Sequence, residues 1–157
     1  MKKKLTAIDL FSGAGGLHLG FEESGYDVKL CIDNNDLVEK THKRNFPHIP
    51  MINGDIRDVT ADQIREYLDG ESLDVIIGGP PCQGFSTIGH RASSDPNKRY
   101  AHDARNELVL VYANLIKELR PKFIVMENVK GILTLDKGAY LENVMKTLRE
   151  AGYNAEY

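Results

Sequence analysis

The sequence contains no tryptophan, two cysteines and no long apolar segment among its 157 residues. Because Cys31 and Cys82 form neither a disulfide framework nor a zinc site by themselves, we expect no metal and a reducing, cytoplasmic setting. The basic start of the chain is not followed by the apolar core of a secretory signal. No run of residues reaches the length of a membrane span, so we also expect no membrane partner.

A basic excess is also missing. Twenty Lys and Arg against 23 Asp and Glu give a formal net charge of −3. Nucleic-acid binding through overall charge is therefore excluded, although binding through a local basic surface is not. The length suits one domain with its own core, and we expect residues 1–157 to form a single domain.

What the sequence does contain is a regular alternation of strands and helices. Short β-branched runs predict strands, and amphipathic segments bounded by glycine or proline predict helices. The predicted strands cover residues 5–10, 28–32, 51–53, 73–77, 123–126 and 153–157, and the predicted helices cover about 17–24, 36–44, 60–68, 103–119 and 140–150. This alternation predicts an α/β, Rossmann-like fold with a mostly parallel sheet covered by helices on both faces.

Local patterns within these elements make sharper predictions. Thr60 and Gln63 have the spacing of a capping box at the start of a helix. Cys31 lies within the second strand, where we expect it to be a core residue. One face of the helix over 103–119 is predicted to be buried, and its residues are Leu108, Val111, Tyr112, Leu115 and Leu119.

Residues 78–86, Gly-Gly-Pro-Pro-Cys-Gln-Gly-Phe-Ser, directly follow an apolar strand. The two prolines fix φ and remove two amide donors, so this loop presents Cys82 on a stiff backbone at the end of the strand. A thiol held in that way is suited to nucleophilic catalysis. The alternative is a buried structural cysteine.

The loop after the first strand, residues 9–16, is rich in glycine but matches no phosphate-binding motif. His18 stands where a dinucleotide fingerprint has its third glycine, and no Gly-Lys-Ser/Thr follows. Asp33 comes 20 residues after Gly13, the spacing at which a carboxylate binds ribose hydroxyls. The loop therefore predicts an adenosine ligand without phosphates, with Asp55 near the adenine edge. A tight turn beside solvated carboxylates is the alternative.

Two further segments carry groups that are suited to chemistry or binding. Glu127 emerges from an apolar strand, so we expect a partly desolvated carboxyl with a raised pKa, fit to donate a proton. A capping or ion-paired glutamate is the alternative. Residues 90–105 carry four basic and two acidic side chains, which suits contact with phosphate or a solvated loop.

Together, these segments strongly resemble the DNA cytosine-5 methyltransferase family. Residues 9–16 look like its cofactor motif, residues 79–86 are similar to its catalytic Pro-Cys motif, and residues 127–129, Glu-Asn-Val, resemble its third signature. Weaker similarity is found at Asp33, at Asp55 and in the segment from Asp103 to Leu108. The resemblance covers nearly all of the chain, in the order and spacing of the family.

The resemblance implies S-adenosylmethionine as the cofactor and a flipped-out cytosine of double-stranded DNA as the substrate. It implies that the Cys82 thiolate attacks C6 of the base and that Glu127 holds the base edge and protonates N3. The residues implied at the cofactor are Phe11, Ser12, Gly13, Gly15, Gly16, Asp33, Asn34, Asp55, Ile56, Pro81 and Leu108. Those implied at the DNA are Ser86, Arg91, Lys98, Arg99 and Arg105.

Parts of the family pattern are not found in the sequence: a later Gln-Arg-Arg-type motif, the target-recognition domain and a C-terminal helix at the cofactor site. We therefore expect a fragment, a truncated gene or one half of a split enzyme, with residues 1–157 as its catalytic and cofactor-binding domain. A second polypeptide that carries the missing motifs is an expected partner, and little methyl transfer is expected from the chain alone. The alternatives are a tRNA cytosine-5 methyltransferase and an inactive cofactor-binding or assembly subunit.

Overall fold

The computed structural model describes residues 3–81, 107–134 and 138–157. Five strands are present in this part of the chain: β1 (Thr6–Leu10), β2 (Asp27–Asp33), β3 (Met51–Asn53), β4 (Val75–Gly78) and β5 (Phe123–Met126). Its α-helices are α1 (Gly16–Glu23), α2 (Asp36–Asn45), α3 (Ala61–Glu66), α4 (Glu107–Leu119) and α5 (Ala139–Glu150). For each of these elements, every end that can be compared with its predicted end lies within two residues of it.

The strands form one sheet in the order β3-β2-β1-β4-β5, and every neighbouring pair is parallel. The predicted α/β, Rossmann-like fold with a parallel sheet is confirmed. All five residues of β1 are buried, as expected for a central strand. The chain order reverses on the two sides of β1, because β2 lies on one side and β4 on the other. In open α/β sheets, ligands bind beyond the carboxyl ends of the strands at such a switch point.

The sheet belongs to the first of two compact units, which extends to Gly79 and includes Glu118–Glu127. Helix α1 packs against β1, β2 and β4 in this unit. Gly25, with φ of 92°, ends α1, and the next amide, that of Tyr26, donates to the Phe21 carbonyl. Gly25 is thus one of the glycines that bound the helices predicted from the sequence. Thr60 and Gln63 also form the predicted capping box at the start of α3.

A polar network of the buried Thr6 and Asp74 with the partly exposed Lys122 joins β1 and β4 at the amino ends of the strands. The Thr6 backbone amide donates to Asp74 Oδ2 at 2.8 Å, and the Lys122 ammonium donates to Oδ1 at 2.5 Å. Burial by itself raises the pKa of Asp74, but the bonds from Lys122 and Thr6 outweigh it and hold this pKa below the usual value. The network therefore contributes stability while the carboxylate is ionised.

The second unit comprises the described residues within Pro80–Lys117 and Asn128–Tyr157. A 3-10 turn at Lys130–Leu133 packs against α5. Helix α5 buries Leu141, Val144, Met145 and Leu148, which recur at the spacing of one helical face. None of the helices in the described part of the chain combines the length and apolar character needed to cross a membrane.

Two predictions about local structure need correction. In α4 the most deeply buried side chains include Val109, Tyr112 and Ile116, whereas Leu108 and Val111 are only half-buried. Residues 153–157 form no strand, although they were predicted to begin one. The Tyr153 amide instead donates to the Leu148 carbonyl, which closes the end of α5, and no strand of the described chain pairs with this segment.

Candidate active and cofactor site

The strand register brings the ends of β1, β2, β4 and β5 into line. Leu10 is opposite both Ile32 and Gly78, and Gly78 is opposite Met126. The residues that follow these positions therefore leave the sheet at the same edge. Among them are Phe11 after β1 and Glu127 after β5. This edge is where the fold places a ligand site.

The first two residues of the loop after β1 have unusual environments. Phe11 is half-buried and has φ of 65°, in the left-handed region that large side chains rarely occupy. Such strain persists where the surrounding structure enforces it, and it is frequent at ligand sites. Ser12 is 7% exposed, and its Oγ finds no hydrogen-bond partner among the described residues. A buried hydroxyl of that kind is available to a ligand.

Asp33 fixes the loop from the end of β2. Its Oδ2 accepts a hydrogen bond from the Gly13 amide at 2.9 Å, and its Oδ1 accepts one from the Asn35 amide at 3.1 Å. The sequence predicted a role for Asp33 toward a ribose but not this contact with the glycine loop. The neighbouring Asn34 is exposed. Gly13 has φ of 53°, which the turn requires and glycine adopts at little cost.

Gly15 allows the loop to approach the interior closely. It has φ of 100°, and a Cβ built at this position would lie 2.6 Å from Phe46 Cε2 and 2.7 Å from His18 Nε2. Glycine is therefore required at this position by both conformation and space. Gly16, where α1 begins, has no atom within 4 Å of a built Cβ. The close atoms around Gly15 therefore show that the loop passes next to the side chains of Phe46 and His18.

His18 is paired with Asp9, a contact that the sequence patterns did not reveal. Both side chains are fully buried, and His18 Nδ1 lies 2.9 Å from Asp9 Oδ2. Burial raises the pKa of Asp9, although its bond with His18 opposes that rise. The signal was the place of His18 in the glycine motif, two residues after Gly16 and on the buried side of a short helix.

Asp55 and Ile56 follow β3, which lies beside β2. Asp55 accepts hydrogen bonds from the Arg57 side chain and from the Arg57 amide, and these lower the pKa of Asp55 to about 2. The carboxylate is thus ionised at neutral pH and only accepts hydrogen bonds. Ile56 is 4% exposed.

Glu127 lies at the end of β5, but its side chain is exposed. The expected partial desolvation of this carboxyl is therefore wrong. The strand before it is less buried than its apolar sequence indicated, since Phe123 is 71% exposed and Val125 42%. The Glu127 amide donates to the Gly78 carbonyl at 2.9 Å, and its Oε2 would lie 3.3 Å from a Cβ built on Gly79. The carboxylate is thus held beside the start of the Pro-Cys loop.

In the second unit, Asn128 Nδ2 donates to the Pro80 carbonyl at 3.0 Å. Pro81 and Leu108 are half-buried, and Leu108 lies in the first turns of α4.

The predicted nucleophile Cys82 lies outside the described residues, as do the predicted DNA contacts Ser86, Arg91, Lys98, Arg99 and Arg105. Cys31 is a fully buried core residue, and burial raises the pKa of its thiol.

The fold and the residues at its ligand edge define a Rossmann-like methyltransferase domain. The profile of the C-5 cytosine-specific DNA methylase family matches residues 5–157. This chain belongs to that family.

The curated relatives include Type II methyltransferases. The chain is 40% identical over 149 residues to M.XorII of Xanthomonas oryzae, a match that covers 94% of this chain and 33% of the relative. It is 38% identical over 163 residues to M.AquIA of Picosynechococcus, covering 100% of this chain and 62% of the relative. The chain thus spans between a third and about two thirds of the length of these proteins.

Solved structures show the same fold. A protein described as a DNA modification methyltransferase, encoded within an E. coli prophage, matches with a TM-score of 0.77 and 34% identity. That match covers 94% of this chain and 38% of the other. A DNMT2 variant of Spodoptera frugiperda matches with a TM-score of 0.67 and 29% identity, over 94% of this chain and 41% of that one.

Proposed function

We propose that this chain forms the cofactor-binding and catalytic part of a DNA (cytosine-5) methyltransferase that uses S-adenosylmethionine. The observation that carries the proposal is the shared sheet edge. The glycine loop and Glu127 follow strand ends that are in register there, and Asp33 is the last residue of the neighbouring β2. The family match over residues 5–157 supports a methyltransferase role for this edge.

The residues at this edge fit an adenosine ligand that has no phosphates. Ser12 offers an unpartnered buried hydroxyl within the described chain, and Asp33 offers a carboxylate at the end of β2. No lysine or arginine lies in residues 9–16, so the loop lacks a clamp for a pyrophosphate. Phe11, Asp55 and Ile56 are the proposed contacts to the adenine. Bound here, S-adenosylmethionine supplies an electrophilic methyl group.

The remaining contacts to the cofactor are proposed from the motif positions. Asp33 is assigned to the ribose hydroxyls, for which its half-buried carboxylate retains free lone pairs beyond the bonds to Gly13 and Asn35. The other proposed cofactor residues are Gly13, Gly15, Gly16, Asn34, Pro81 and Leu108.

The chemistry on the base is assigned to Cys82 and Glu127. The Cys82 thiolate forms a bond to C6 of the flipped cytosine while Glu127 protonates N3, and the electron density moves to C5. The methyl group that the cofactor would supply then passes to C5 as its bond to the sulfonium sulfur breaks, which would leave a neutral thioether. Loss of the C5 proton to solvent and cleavage of the Cys82–C6 bond regenerate the thiolate. Return of the N3 proton to Glu127 gives 5-methylcytosine. Because Glu127 is exposed and lies beside Gly79, its carboxylate is accessible to a base.

The proposed DNA contacts are Ser86, Arg91, Lys98, Arg99 and Arg105. The four basic side chains supply charge for phosphates, and Ser86 supplies a hydroxyl. The matched relatives are longer than this chain. We therefore assign reading of a target sequence to a part of the enzyme other than these residues, supplied by the rest of the protein or by a second polypeptide.

Cofactor binding is tested first with the chain as it stands. Calorimetric titration with S-adenosylmethionine should show binding, which Asp33→Ala should weaken and Asp62→Ala, on the exposed start of α3, should leave unchanged. Binding of ATP with equal affinity would contradict a site built for a ligand without phosphates.

The chemistry is tested by covalent trapping on DNA that contains 5-fluorocytosine. The chain is fused to the part of the Picosynechococcus relative that lies outside the match. The fusion should form a stable adduct, which Cys82→Ala abolishes and Cys31→Ala preserves. A fusion that binds the cofactor and DNA but never forms the adduct would refute the nucleophile. Methyl incorporation into tRNA but not DNA would instead assign the substrate to tRNA.

A further inference from the structure

Three buried side chains that the proposed chemistry does not use lie together beneath the glycine loop. His18 of α1, Cys31 of β2 and His42 of α2 are 0%, 0% and 3% exposed. One potential ligand atom from each, a ring nitrogen or the sulfur, lies within 4.8 Å of the others. The rings of His18 and His42 meet edge to face with centroids 5.5 Å apart. Three different elements thus converge on one point.

Each histidine leaves one buried nitrogen without a partner in the part of the chain that the structure describes: Nε2 of His18 and Nδ1 of His42. The opposite nitrogens are both bonded to oxygen. His42 Nε2 lies 2.8 Å from the Ile49 carbonyl, which only accepts, so this nitrogen carries the proton. His42 Nδ1 therefore presents a lone pair to the interior.

His18 has the matching arrangement. Its Nδ1 lies 2.9 Å from Asp9 Oδ2 and 3.4 Å from Cys31 Sγ. Nδ1 is thus engaged by the Asp9 carboxyl group, and Nε2 is the ring nitrogen left for a further ligand. Metal-binding histidines typically donate their second N–H to a carboxylate or a backbone carbonyl, which fixes the tautomer and the ring orientation. His18 and His42 each have such an oxygen partner.

The charges in the cluster also suit a divalent cation. A buried ion needs compensating charge, because an isolated charge in the interior is strongly unfavourable. Zinc displaces the thiol proton when it binds, and the resulting Cys31 thiolate and the Asp9 carboxylate balance the charge of the ion. Asp9 and Cys31 are directly opposite in the β1–β2 register, so both charges come from adjacent positions of the sheet.

We propose that His18, Cys31 and His42 form a buried zinc site, supported by Asp9 and the Ile49 carbonyl. Thiolate and imidazole ligands are the set that zinc prefers. Zn–N and Zn–S bonds of about 2.0–2.1 Å and 2.3 Å place two ligand atoms roughly 3.5 Å apart. The cluster must therefore contract by roughly 1 Å around the ion. The site ties α1, β2 and α2 together. The count of two cysteines did not predict it, because two of its three ligands are histidines.

The test uses the metal-free 157-residue chain and Zn²⁺ alone, with a chromophoric chelator as competitor. One zinc should bind per chain and raise the thermal unfolding midpoint, because a ligand that binds only the folded state stabilises it. Co²⁺ in place of zinc should give a thiolate-to-cobalt absorption band. Cys31→Ser should remove the charge-transfer band. Asp9→Asn should weaken zinc binding about 10–100-fold, because it removes the carboxylate that orients the His18 ring.

Matched controls come from the other thiol and an exposed histidine. Cys82→Ser and His48→Gln should leave both the zinc affinity and the cobalt spectrum unchanged. His42→Gln keeps an amide donor for the Ile49 carbonyl and should still lose affinity, which covers the case in which Cys31→Ser fails to fold. No stoichiometric zinc on a folded chain would overturn the proposal. So would a charge-transfer band that survives Cys31→Ser or disappears in Cys82→Ser, or full zinc affinity in His42→Gln.

Discussion

The backbone amide of Gly13 donates to Oδ2 of Asp33 at 2.9 Å, and this side-chain bond joins the glycine loop after β1 to the end of β2. A backbone bond from the Ser12 amide to the Ile32 carbonyl, at 3.0 Å, makes a second connection. The Asp33 carboxylate is also the proposed ligand for the ribose, so one side chain contributes both to loop position and to ligand binding.

Asp33→Ala should lower the affinity for S-adenosylmethionine by at least roughly tenfold, because hydrogen bonds to a charged group contribute about 1.5–3 kcal/mol each. Calorimetric titration of the chain measures this. Asp33→Asn keeps an acceptor for Gly13 but loses the charge, so its affinity should fall between those of the wild type and Asp33→Ala. Equal affinities for all three chains would remove Asp33 from the cofactor site.

Gly15→Ala should destabilise the fold by about 2–4 kcal/mol, since the new methyl adds a clash to the strain of a positive φ. The clash is with Phe46 and His18 at under 3 Å. Gly25→Ala is the matched control, with φ of 92° and no atom within 4 Å of its built Cβ. It should cost only about 1 kcal/mol. Urea unfolding of the two variants measures the difference, and equal costs would show that the space beneath Gly15 is not limiting.

Gly79→Ala should slow covalent trapping without changing the affinity for S-adenosylmethionine. The added Cβ lies 3.3 Å from Glu127 Oε2, so the carboxylate must move by a few tenths of an ångström. Because Glu127 is exposed and can yield, the free energy of unfolding should change by less than about 0.5 kcal/mol. Trapping kinetics of the fusion protein at saturating cofactor provide the measurement. An unchanged rate would mean that this position of the carboxylate is not the one used in catalysis.

The Asp74–Lys122 pair should make stability depend on pH in the acid range. The pKa of Asp74 is lowered in the folded state, so the pair stabilises fully above the unfolded value of about 3.9. That contribution is lost as the pH falls toward the folded pKa. Lys122→Met should cost about 1 kcal/mol at pH 7, since solvent screens the half-exposed ammonium, and the difference from the wild type should shrink by pH 3.

Lys146→Met is the control for that measurement. Lys146 lies 3.9 Å from Glu150, and both side chains are more than half exposed. An exposed pair of this kind contributes little, so the variant should stay within about 0.5 kcal/mol of the wild type at either pH. Denaturant titrations at both pH values test the pair, and a pH-independent effect of Lys122→Met would contradict an electrostatic origin.

The sequence predicted the alternation of elements well because each signal was local. Gly25 ends α1 and Thr60 caps α3 through contacts within a few residues, so their patterns alone specify them. The register that aligns Phe11 with Glu127 followed from the rule for parallel strands, although its details required the structure.

What the sequence could not supply depends on neighbours distant in the chain. Both candidate faces of α4 have helical spacing, so periodicity alone could not choose Val109 over Leu108. The exposure of Glu127 depends on how β5 is covered, which its apolar sequence does not specify. The contact between Asp9 and His18 joins a strand to a helix, and the place of His18 in the glycine motif signals it without specifying the partner.

Strand β1 has the proposed chemistry at one end and the Thr6–Asp74–Lys122 network at the other. Substitutions at the network act on acid tolerance from the far side of the sheet, away from the loop that holds the cofactor. Folding stability and catalysis thus depend on residues at opposite ends of β1. A variant with a higher unfolding temperature or denaturant midpoint should be sought first among residues near Thr6, because substitutions there lie away from the proposed active site.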